Sequence, residues 1–216
     1  MNALLEVRGL SKRYGGRLVV SDVTFSAGSG KVIGIIGSNG SGKSTLVKMI
    51  TALLRPTDGS VSLALDGQRV HQSDLPRICG MVAPYLQIYD EFDPAEHLRL
   101  HAQLHGTAIE EDRIDEVLQM VGLESAKNRI IRSFSSGMRQ RVCIALAISL
   151  RPPLLVLDEP GVTLDESGRV ALSRCIDAAR RDGTIVILAT NDERERALCT
   201  ELVRLGEPEP QAHGTR

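Results

Sequence analysis

The feature that most constrains this chain is the glycine-rich run Gly37–Ser44, which reads GSNGSGKS. It satisfies the pattern G-x-x-x-x-G-K-[ST], which is typical of a phosphate-binding loop. An apolar segment, Val32–Ile36, precedes the run and has the character of a buried parallel strand. A helix-forming segment, Thr45–Ile50, follows it. The motif requires this order of strand, loop and helix, so the sequence predicts a site for nucleotide phosphates.

The residue types of this loop suit a cradle for several negative charges. Glycines let the backbone turn tightly and direct N–H groups at phosphate oxygens, and the following helix adds the positive end of its dipole. Lys43 is expected to reach the β- and γ-phosphates, and the Ser44 hydroxyl is expected to bind a bridging Mg²⁺ ion. The predicted nucleotide-contacting residues are Gly37, Ser38, Asn39, Gly40, Ser41, Gly42, Lys43, Ser44 and Thr45.

A second apolar strand, Leu154–Leu157, ends in the two acids Asp158 and Glu159. Ligands of α/β proteins bind at the carboxyl ends of parallel strands, so Asp158 is predicted to hold Mg²⁺ directly or through water. Glu159 is predicted to accept a proton from the water that attacks the γ-phosphate. Because these acids follow a phosphate loop, the sequence predicts nucleotide hydrolysis with Glu159 and Lys43 as catalytic residues.

Strands that alternate with helices predict an α/β fold, a P-loop NTPase core with a mostly parallel sheet. Strand patterns at Leu4–Leu10, Val19–Ser26 and Ser60–Leu65 predict an N-terminal antiparallel part, in which the third is an edge strand. Helical periodicity predicts an inserted helical lobe at about 94–150. We expect a single domain over 1–205 and a disordered tail over 206–216, which is polar and rich in proline and glycine.

The composition of the 216 residues limits the partners and the compartment. The net charge of −1 gives no general attraction to nucleic acid or anionic lipid. The longest apolar stretch, near Val142–Leu150, is far shorter than the ~20 residues of a membrane span, and no secretory leader is recognisable. We therefore expect a soluble, cytoplasmic protein without nucleic-acid binding or direct membrane insertion.

The four cysteines and five histidines form no zinc pattern. His97, His101 and His105 do recur every fourth residue on a predicted helix. They could form a metal-binding stripe, but a solvated or half-buried helix face is favoured because no carboxylate or cysteine completes the ligand set nearby.

Upstream of the acidic strand, Phe134–Arg141 reads FSSGMRQR. With the phosphate loop, the Asp158-Glu159 pair and a following Leu164-Asp165, this run resembles the ATP-binding subunit of ABC transporters, whose signature is usually written LSGGQ. The resemblance covers about Leu4 to Leu205 and is nearest to the heme-exporter (cytochrome c biogenesis) type. It implies an ATPase that drives a separate integral-membrane permease, with export as the implied direction, and that lies at the inner face of the cell membrane through this partner.

The signature residues Ser135, Ser136 and Gly137 open a predicted helix, whose free N–H groups can bind an anion. Two such helix starts in one domain cannot easily reach the same nucleotide. The resemblance implies a dimer of two copies, in which the signature of one copy contacts the ATP held by the other. It also implies that Asp165 lies in a loop between the copies and that Tyr14 stacks on adenine, although strand packing would explain Tyr14 as well.

Two positions depart from the family pattern. Pro84 stands where the family has a glutamine, so Gln87 is the nearest candidate for that metal-linked role. Asn191 stands where the family has a histidine. Asparagine can donate a hydrogen bond to a γ-phosphate oxygen but carries no positive charge, so we expect Asn191 to support a slower hydrolysis.

The segment Tyr85–Phe92 is rich in aromatic residues for a chain with only three Tyr and three Phe. The resemblance places the permease contact here, so the segment is expected to form an apolar groove for a partner helix; packing of the loop against the core is the alternative. A soluble ABC-type ATPase of cofactor or complex assembly, or a nucleotide switch with little turnover, are alternative functions.

Overall fold

The computed structural model describes residues 2–206, so most of the predicted tail over 206–216 lies outside the described residues. The strands are β1 Ala3–Tyr14, β2 Arg17–Gly28, β3 Val32–Ile36, β4 Asp58–Leu65, β5 Gln68–Arg69, β6 Cys79–Val82, β7 Leu154–Asp158, β8 Ile185–Ala189 and β9 Glu201–Arg204. The helices are α1 Lys43–Ile50, α2 Leu75–Ile78, α3 Pro94–Leu104, α4 Glu111–Met120, α5 Ser136–Ser149, α6 Glu166–Arg181 and α7 Glu193–Arg196, with short 3₁₀ turns between some of them.

Five strands form a parallel sheet in the order β6-β7-β8-β3-β9. Every residue of β3, β7 and β8 is buried, which explains their continuous apolar sequences. Because the strands are parallel, their carboxyl ends meet at one edge of the sheet. The phosphate loop, the two acids and Asn191 all follow such ends.

The sheet lies between two apolar layers, and the strand β7 shows both. Leu155 and Leu157 pack into a core formed with the helices α3 to α6. Their neighbours Leu154 and Val156 pack into a second core with α1 and the antiparallel sheet. Successive side chains of one buried strand therefore pack into opposite layers. The predicted fold class is confirmed.

The antiparallel sheet has the order β2-β1-β4-β5. The β1–β2 hairpin is longer than the sequence pattern indicated, because pairing extends from Leu4 with Gly28 to Tyr14 with Arg17. The prediction that Ser60–Leu65 is an edge strand is wrong, because β4 lies between β1 and the two-residue strand β5.

The end of the chain differs from the expected pattern. The sequence from Asp192 to Thr200 has a helical pattern, but α7 has only four residues and the strand β9 follows it. The strand signal in β9 is weak because this edge strand is mostly exposed. The helical pattern that begins at Lys43 continues to Leu54, but α1 ends at Ile50, because Ala52 adopts a left-handed backbone conformation with φ +58°. Within residues 2–206, none of the helices combines the length and apolar character needed to cross a bilayer.

Candidate nucleotide-binding site

The phosphate loop connects β3 to α1 in a tight turn. Gly40 and Gly42 have φ values of +83° and +97°, which glycine adopts without strain. A Cβ at Gly42 would lie 2.7 Å from the Val19 carbonyl oxygen, and one at Gly37 would lie 2.5 Å from Ser41 Oγ. Side chains would therefore disrupt the loop. Its cavity has a volume of about 330 Å³ and is lined by Val19, Asn39, Gly40, Gly42, Lys43, Ser44, Thr45 and Glu159.

The ammonium group of Lys43 lies inside this loop. The residue is 5% exposed, and Nζ donates hydrogen bonds to the carbonyl oxygens of Gly37 at 2.9 Å and Ser38 at 3.3 Å. The same nitrogen is 3.7 Å from Glu159 Oε1. The fold thus brings together the predicted phosphate-binding cation and the predicted general base, although they lie far apart in sequence.

Asp158 ends β7 and is buried, and neither of its carboxylate oxygens accepts a hydrogen bond of normal geometry. Burial raises the pKa of this carboxyl, while the neighbouring Ser44 hydroxyl acts in the opposite direction. A buried carboxylate without partners is costly unless a cation compensates it. Carboxylate and hydroxyl oxygens suit Mg²⁺, so Asp158 and Ser44 fit the predicted metal site.

Glu159 follows Asp158 in a left-handed backbone conformation, with φ +49°. Its N–H donates a hydrogen bond to the Ala189 carbonyl oxygen at 2.8 Å, which fixes the turn at the end of β7. Residues other than glycine rarely adopt this conformation, and they concentrate at functional sites. The turn leaves the Glu159 side chain partly exposed at the phosphate-loop cavity.

The loop after β8 also reaches the phosphate loop. The Asn191 side-chain amide donates a hydrogen bond to Asn39 Oδ1 at 2.7 Å. Tyr14, in contrast, does not line the phosphate-loop cavity. Its half-exposed ring lies 5.3 Å from the Lys12 ammonium nitrogen, so adenine stacking stays a prediction.

The signature residues lie in a different part of the molecule from the phosphate-loop cavity. Ser135 caps α5, because its hydroxyl oxygen accepts a hydrogen bond from the Met138 N–H at 3.2 Å. Ser136 lines a separate cavity of about 610 Å³, and a Cβ at Gly137 would lie 3.0 Å from the Thr163 carbonyl oxygen. One chain therefore places its two predicted anion-binding helix starts at different cavities.

Asp165 caps the helix α6. Its carboxylate accepts hydrogen bonds from the Gly168 N–H at 2.8 Å and from the Ser167 hydroxyl at 3.0 Å. The first of these bonds is the main reason that the pKa of Asp165 lies below its usual value. The carboxylate therefore has a structural role within the chain, and a contact with a second copy stays a prediction.

Gln87 lines the 610 Å³ cavity beside Ser136 and is not among the residues that line the phosphate-loop cavity. The residue of this loop that approaches the predicted metal site is Tyr85, which sequence reasoning missed in this role. Its ring centroid is 4.1 Å from Lys48 Nζ. Burial and the Asp158 charge raise the pKa of Tyr85 to about 12. Lys48 follows Ser44 by one helical turn, so it lies on the same face of α1 as the predicted metal ligand. This spacing was the sequence signal that Lys48, and a residue in contact with it, lie near the metal site.

One histidine of α3, His97, supports the loop before this helix. His97 is buried and accepts a hydrogen bond from the Tyr89 N–H at Nε2, at 2.8 Å. Burial lowers the pKa of His97, and the rings of His101 and His105 have centroids 4.3 Å apart. The part of the chain that the structure describes contains no group of three or more His, Cys, Asp or Glu side chains able to hold a metal ion.

Comparison with known proteins identifies a family. Residues 20–162 match the family model described as ABC transporter. The uncharacterised ABC transporter ATP-binding protein YdbJ of Bacillus subtilis (strain 168) is 34% identical over 211 residues, which are 97% of this chain and 68% of the relative. The bacitracin transport ATP-binding protein BcrA of Bacillus licheniformis is 30% identical over 191 residues, which are 88% of this chain and 62% of the relative. The chain spans about two thirds of each relative's length.

A solved structure gives the same result. A dimeric ATP-binding cassette in a post-hydrolysis state, bound to ADP and phosphate, has a TM-score of 0.80 to this chain at 25% identity. The similarity covers 95% of this chain and 97% of that one.

Proposed function

The chain belongs to the ABC transporter family and carries its ATPase domain, and on this premise we propose that it powers a separate membrane permease by dimerising on ATP and hydrolysing it. The observation that carries the proposal is the convergence of Lys43, Asp158 and Glu159 at one edge of the parallel sheet, beside a loop shaped for phosphates.

In the proposed reaction, the phosphate loop holds ATP by its backbone N–H groups and by Lys43. Ser44 and Asp158 would hold Mg²⁺, which neutralises phosphate charge and orients the β- and γ-oxygens when bound. Gln87 is retained as a candidate metal contact only if its loop rearranges, because it lines the other cavity.

Glu159 orients the attacking water and accepts its proton. Lys43 Nζ, 3.7 Å away, stabilises charge on the γ-phosphate as the bond to the leaving oxygen breaks. Asn191 donates a hydrogen bond to a γ-phosphate oxygen, and its contact with Asn39 places it at the loop that holds this phosphate. Because asparagine is uncharged, turnover is slower than a histidine would allow.

A second copy of the chain completes the nucleotide-binding site. Ser135, Ser136 and Gly137 of one copy contact the γ-phosphate held by the other, and Asp165 lies in the loop between the copies. The distribution of these residues over two cavities supports this arrangement. Ser135 already caps α5 by accepting the Met138 N–H, so its hydroxyl hydrogen is available to a phosphate oxygen.

The permease contacts the surface formed by Tyr85, Leu86 and Tyr89, which we call the docking surface. All three side chains are exposed, and Tyr89 is 60% exposed. Leu86 and Tyr89 line the 610 Å³ cavity, which is large enough to receive part of a helix. Exposed aromatic residues that border a groove are typical of a protein interface.

The proposed direction of transport is export, which the name of a further relative, Nod factor export ATP-binding protein I (31% identical over 206 residues), supports. The name of the bacitracin-transport relative gives no support to a heme substrate. The resemblance to heme exporters is therefore not extended to the cargo or to cytochrome c biogenesis. The chain works at the inner face of the cell membrane through its permease. A soluble assembly ATPase is the competing function, and it predicts no co-purification with a polytopic membrane protein from detergent extracts.

The test is the variant Glu159→Gln, which keeps the shape of the site and removes the base. We expect ATP hydrolysis to fall by about 10² to 10³-fold, and light scattering to show a dimer with ATP and a monomer without it. Glu193→Gln, an exposed residue outside the site, is the matched control and keeps the wild-type rate. A Glu159→Gln protein that binds ATP as a monomer at all concentrations contradicts the dimer.

A further inference from the structure

A buried carboxylate lies beneath two loops of the site and has no part in the reaction as described so far. Glu195, on the short helix α7, is 5% exposed, and burial is the main reason that its pKa lies above the usual value. Burying an acid destabilises the fold unless polar groups nearby compensate for the lost solvation. The groups beside Glu195 therefore indicate why an acid lies at this position.

The carboxyl group of Glu195 lies beside two loops that follow different strands. The Gly161 N–H, in the loop after β7, and the Thr190 hydroxyl, directly after β8, both act to lower the pKa of Glu195 against the effect of burial. A Cβ at Gly161 would collide with Glu195 Oε1. The carboxylate thus occupies the space that a side chain at Gly161 would need.

Each of these loops carries a residue of the proposed reaction. Gly161 lies two residues after Glu159, and the next residue, Val162, is 71% exposed on the way to Asp165. Thr190 directly precedes Asn191, which contacts the phosphate loop. Glu195 therefore connects the segment that holds the general base to the segment that holds the γ-phosphate contact.

The surroundings of Glu195 reinforce this connection. The Thr190 hydroxyl oxygen accepts a hydrogen bond from the Asp192 N–H at 2.9 Å, which leaves its own hydrogen available to the Glu195 carboxylate. Arg169, whose charge acts on Glu195, is paired with Asp192 at 2.6 Å. Glu195 therefore contacts the Gly161 loop without an ion pair to Arg169.

We propose that Glu195 is a positioning residue for ATP hydrolysis: its carboxylate fixes the Glu159 loop against the Asn191 loop, so that both residues act on the same γ-phosphate. The inference rests on the proposed function, because it assigns Glu159 and Asn191 to one reaction. Glu195 itself does not line the phosphate-loop cavity. Its effect is therefore on kcat rather than on the affinity for ATP.

The first experiment measures kcat and KM for Glu195→Ala and Glu195→Gln. We expect Glu195→Ala to lower kcat by about tenfold or more, since small displacements of reacting groups have effects of this size, with KM within about twofold. Glu195→Gln keeps an acceptor and should recover most of kcat. Glu193→Ala, on the same helix but exposed, is the matched control. An unchanged kcat in Glu195→Ala, or a loss confined to thermal stability, overturns the proposal.

The second experiment approaches the contact from the other loop. Gly161 does not have a positive φ, so Gly161→Ala adds a methyl group without backbone strain, and its collision with Glu195 should lower kcat. In the Glu195→Ala background the same methyl group meets no carboxylate and should cause no further loss. Simple multiplication of the two single effects contradicts a shared contact.

The outcomes separate the inference from the function on which it rests. If the wild-type chain hydrolyses ATP and Glu159→Gln does not, the proposed function stands, and the Glu195 variants then decide the inference alone. If the wild-type chain does not hydrolyse ATP, the proposed function fails first. Should Glu195→Ala not fold, Glu195→Gln and Gly161→Ala still give the required comparison.

Discussion

Two loops leave neighbouring strands of the parallel sheet, yet they differ in how they are held. The loop after β7 is fixed at its start by the backbone bond from the Glu159 N–H to the Ala189 carbonyl oxygen, and the Gln140 side chain binds it further along. The loop after β6 is held by two backbone bonds, from the N–H groups of Ile131 and Arg132, but side chains hold it near Tyr89, where His97 accepts the Tyr89 N–H. We call the strand ends that carry the phosphate loop, Glu159 and Asn191 the rigid edge, and the loop after β6 the adjustable loop.

The difference corresponds to the chemistry proposed for each loop. Hydrolysis needs groups placed within fractions of an ångström, and backbone bonds at the end of a buried strand supply that precision. A docking surface must adapt to a partner and transmit its movement, which side-chain contacts permit. Lys48 on α1, with its ammonium 4.1 Å from the centroid of the Tyr85 ring, directly connects the two loops' surroundings.

The largest effect should follow removal of the buried cation at the rigid edge. Lys43→Ala leaves the phosphate charge uncompensated, so we expect ATP hydrolysis to fall by about 10³-fold and ATP binding to weaken in a calorimetric titration. Lys31→Ala is the control, because Lys31 is an exposed lysine paired with Glu201. Turnover within tenfold of wild type in Lys43→Ala would show that the rigid edge does not depend on this cation, and would contradict the contrast with the docking surface.

A charged residue on the docking surface should affect only coupling. Tyr89→Asp introduces a carboxylate into an exposed apolar surface, so we expect permease-stimulated ATPase activity and transport to fall by about tenfold, which corresponds to about 1.4 kcal/mol. The basal rate of the isolated chain should not change. Leu104→Asp, which alters a 75% exposed apolar residue outside the docking surface, should leave coupling intact. Equal effects of both variants would refute a localised docking surface.

A smaller effect is expected at Asn191, where the rigid edge departs from the family pattern. Asn191→His provides a group that can carry positive charge near the γ-phosphate, and we expect kcat to rise by about two- to fivefold. The replacement also removes the bond from the Asn191 amide to Asn39 Oδ1, which limits the gain. A steady-state assay that shows an equal or lower rate contradicts the assigned role.

The last prediction concerns stability rather than activity, and it involves the histidines near the adjustable loop, of which His97 contacts it. Burial, with the charges of His105 and His97, lowers the pKa of His101 to about 4 from an ordinary value of 6.5. The unfolded chain therefore binds a proton below pH 6.5 that the folded chain resists, so stability falls as the pH decreases from about 6.5 to about 4. The loss amounts to at most about 3 kcal/mol.

Thermal unfolding at several pH values measures this loss. His101→Gln should flatten the dependence between pH 6.5 and 5, whereas His71→Gln, at an exposed position, should retain it. His97 acts in the same direction, because its protonation removes the acceptor for the Tyr89 N–H. Hydrogen exchange should accordingly show that Tyr89 loses protection before Glu159 does. Equal loss at both amides would contradict the contrast between the loops.

Sequence reasoning succeeded where a local pattern determines the geometry. The phosphate loop and the Asp158-Glu159 strand end depend on neighbouring residues and on a buried parallel strand, and both give strong signals. The strand β9 was missed because an exposed edge strand has little apolar periodicity. Tyr85 and Glu195 were missed because their roles depend on contacts across the fold, with Lys48 in one case and with Gly161 and Thr190 in the other.

The cavity that Ser136 shares with Tyr89 has a consequence for the order of events in the proposed pair. A membrane helix that presses on this cavity in one copy bears on the helix start serving the nucleotide of the other copy. A permease contact on one copy therefore affects hydrolysis of the ATP that the other copy holds. A permease with two unlike cytoplasmic ends would affect the two sites unequally, so that two identical chains would hydrolyse their ATP molecules one after the other.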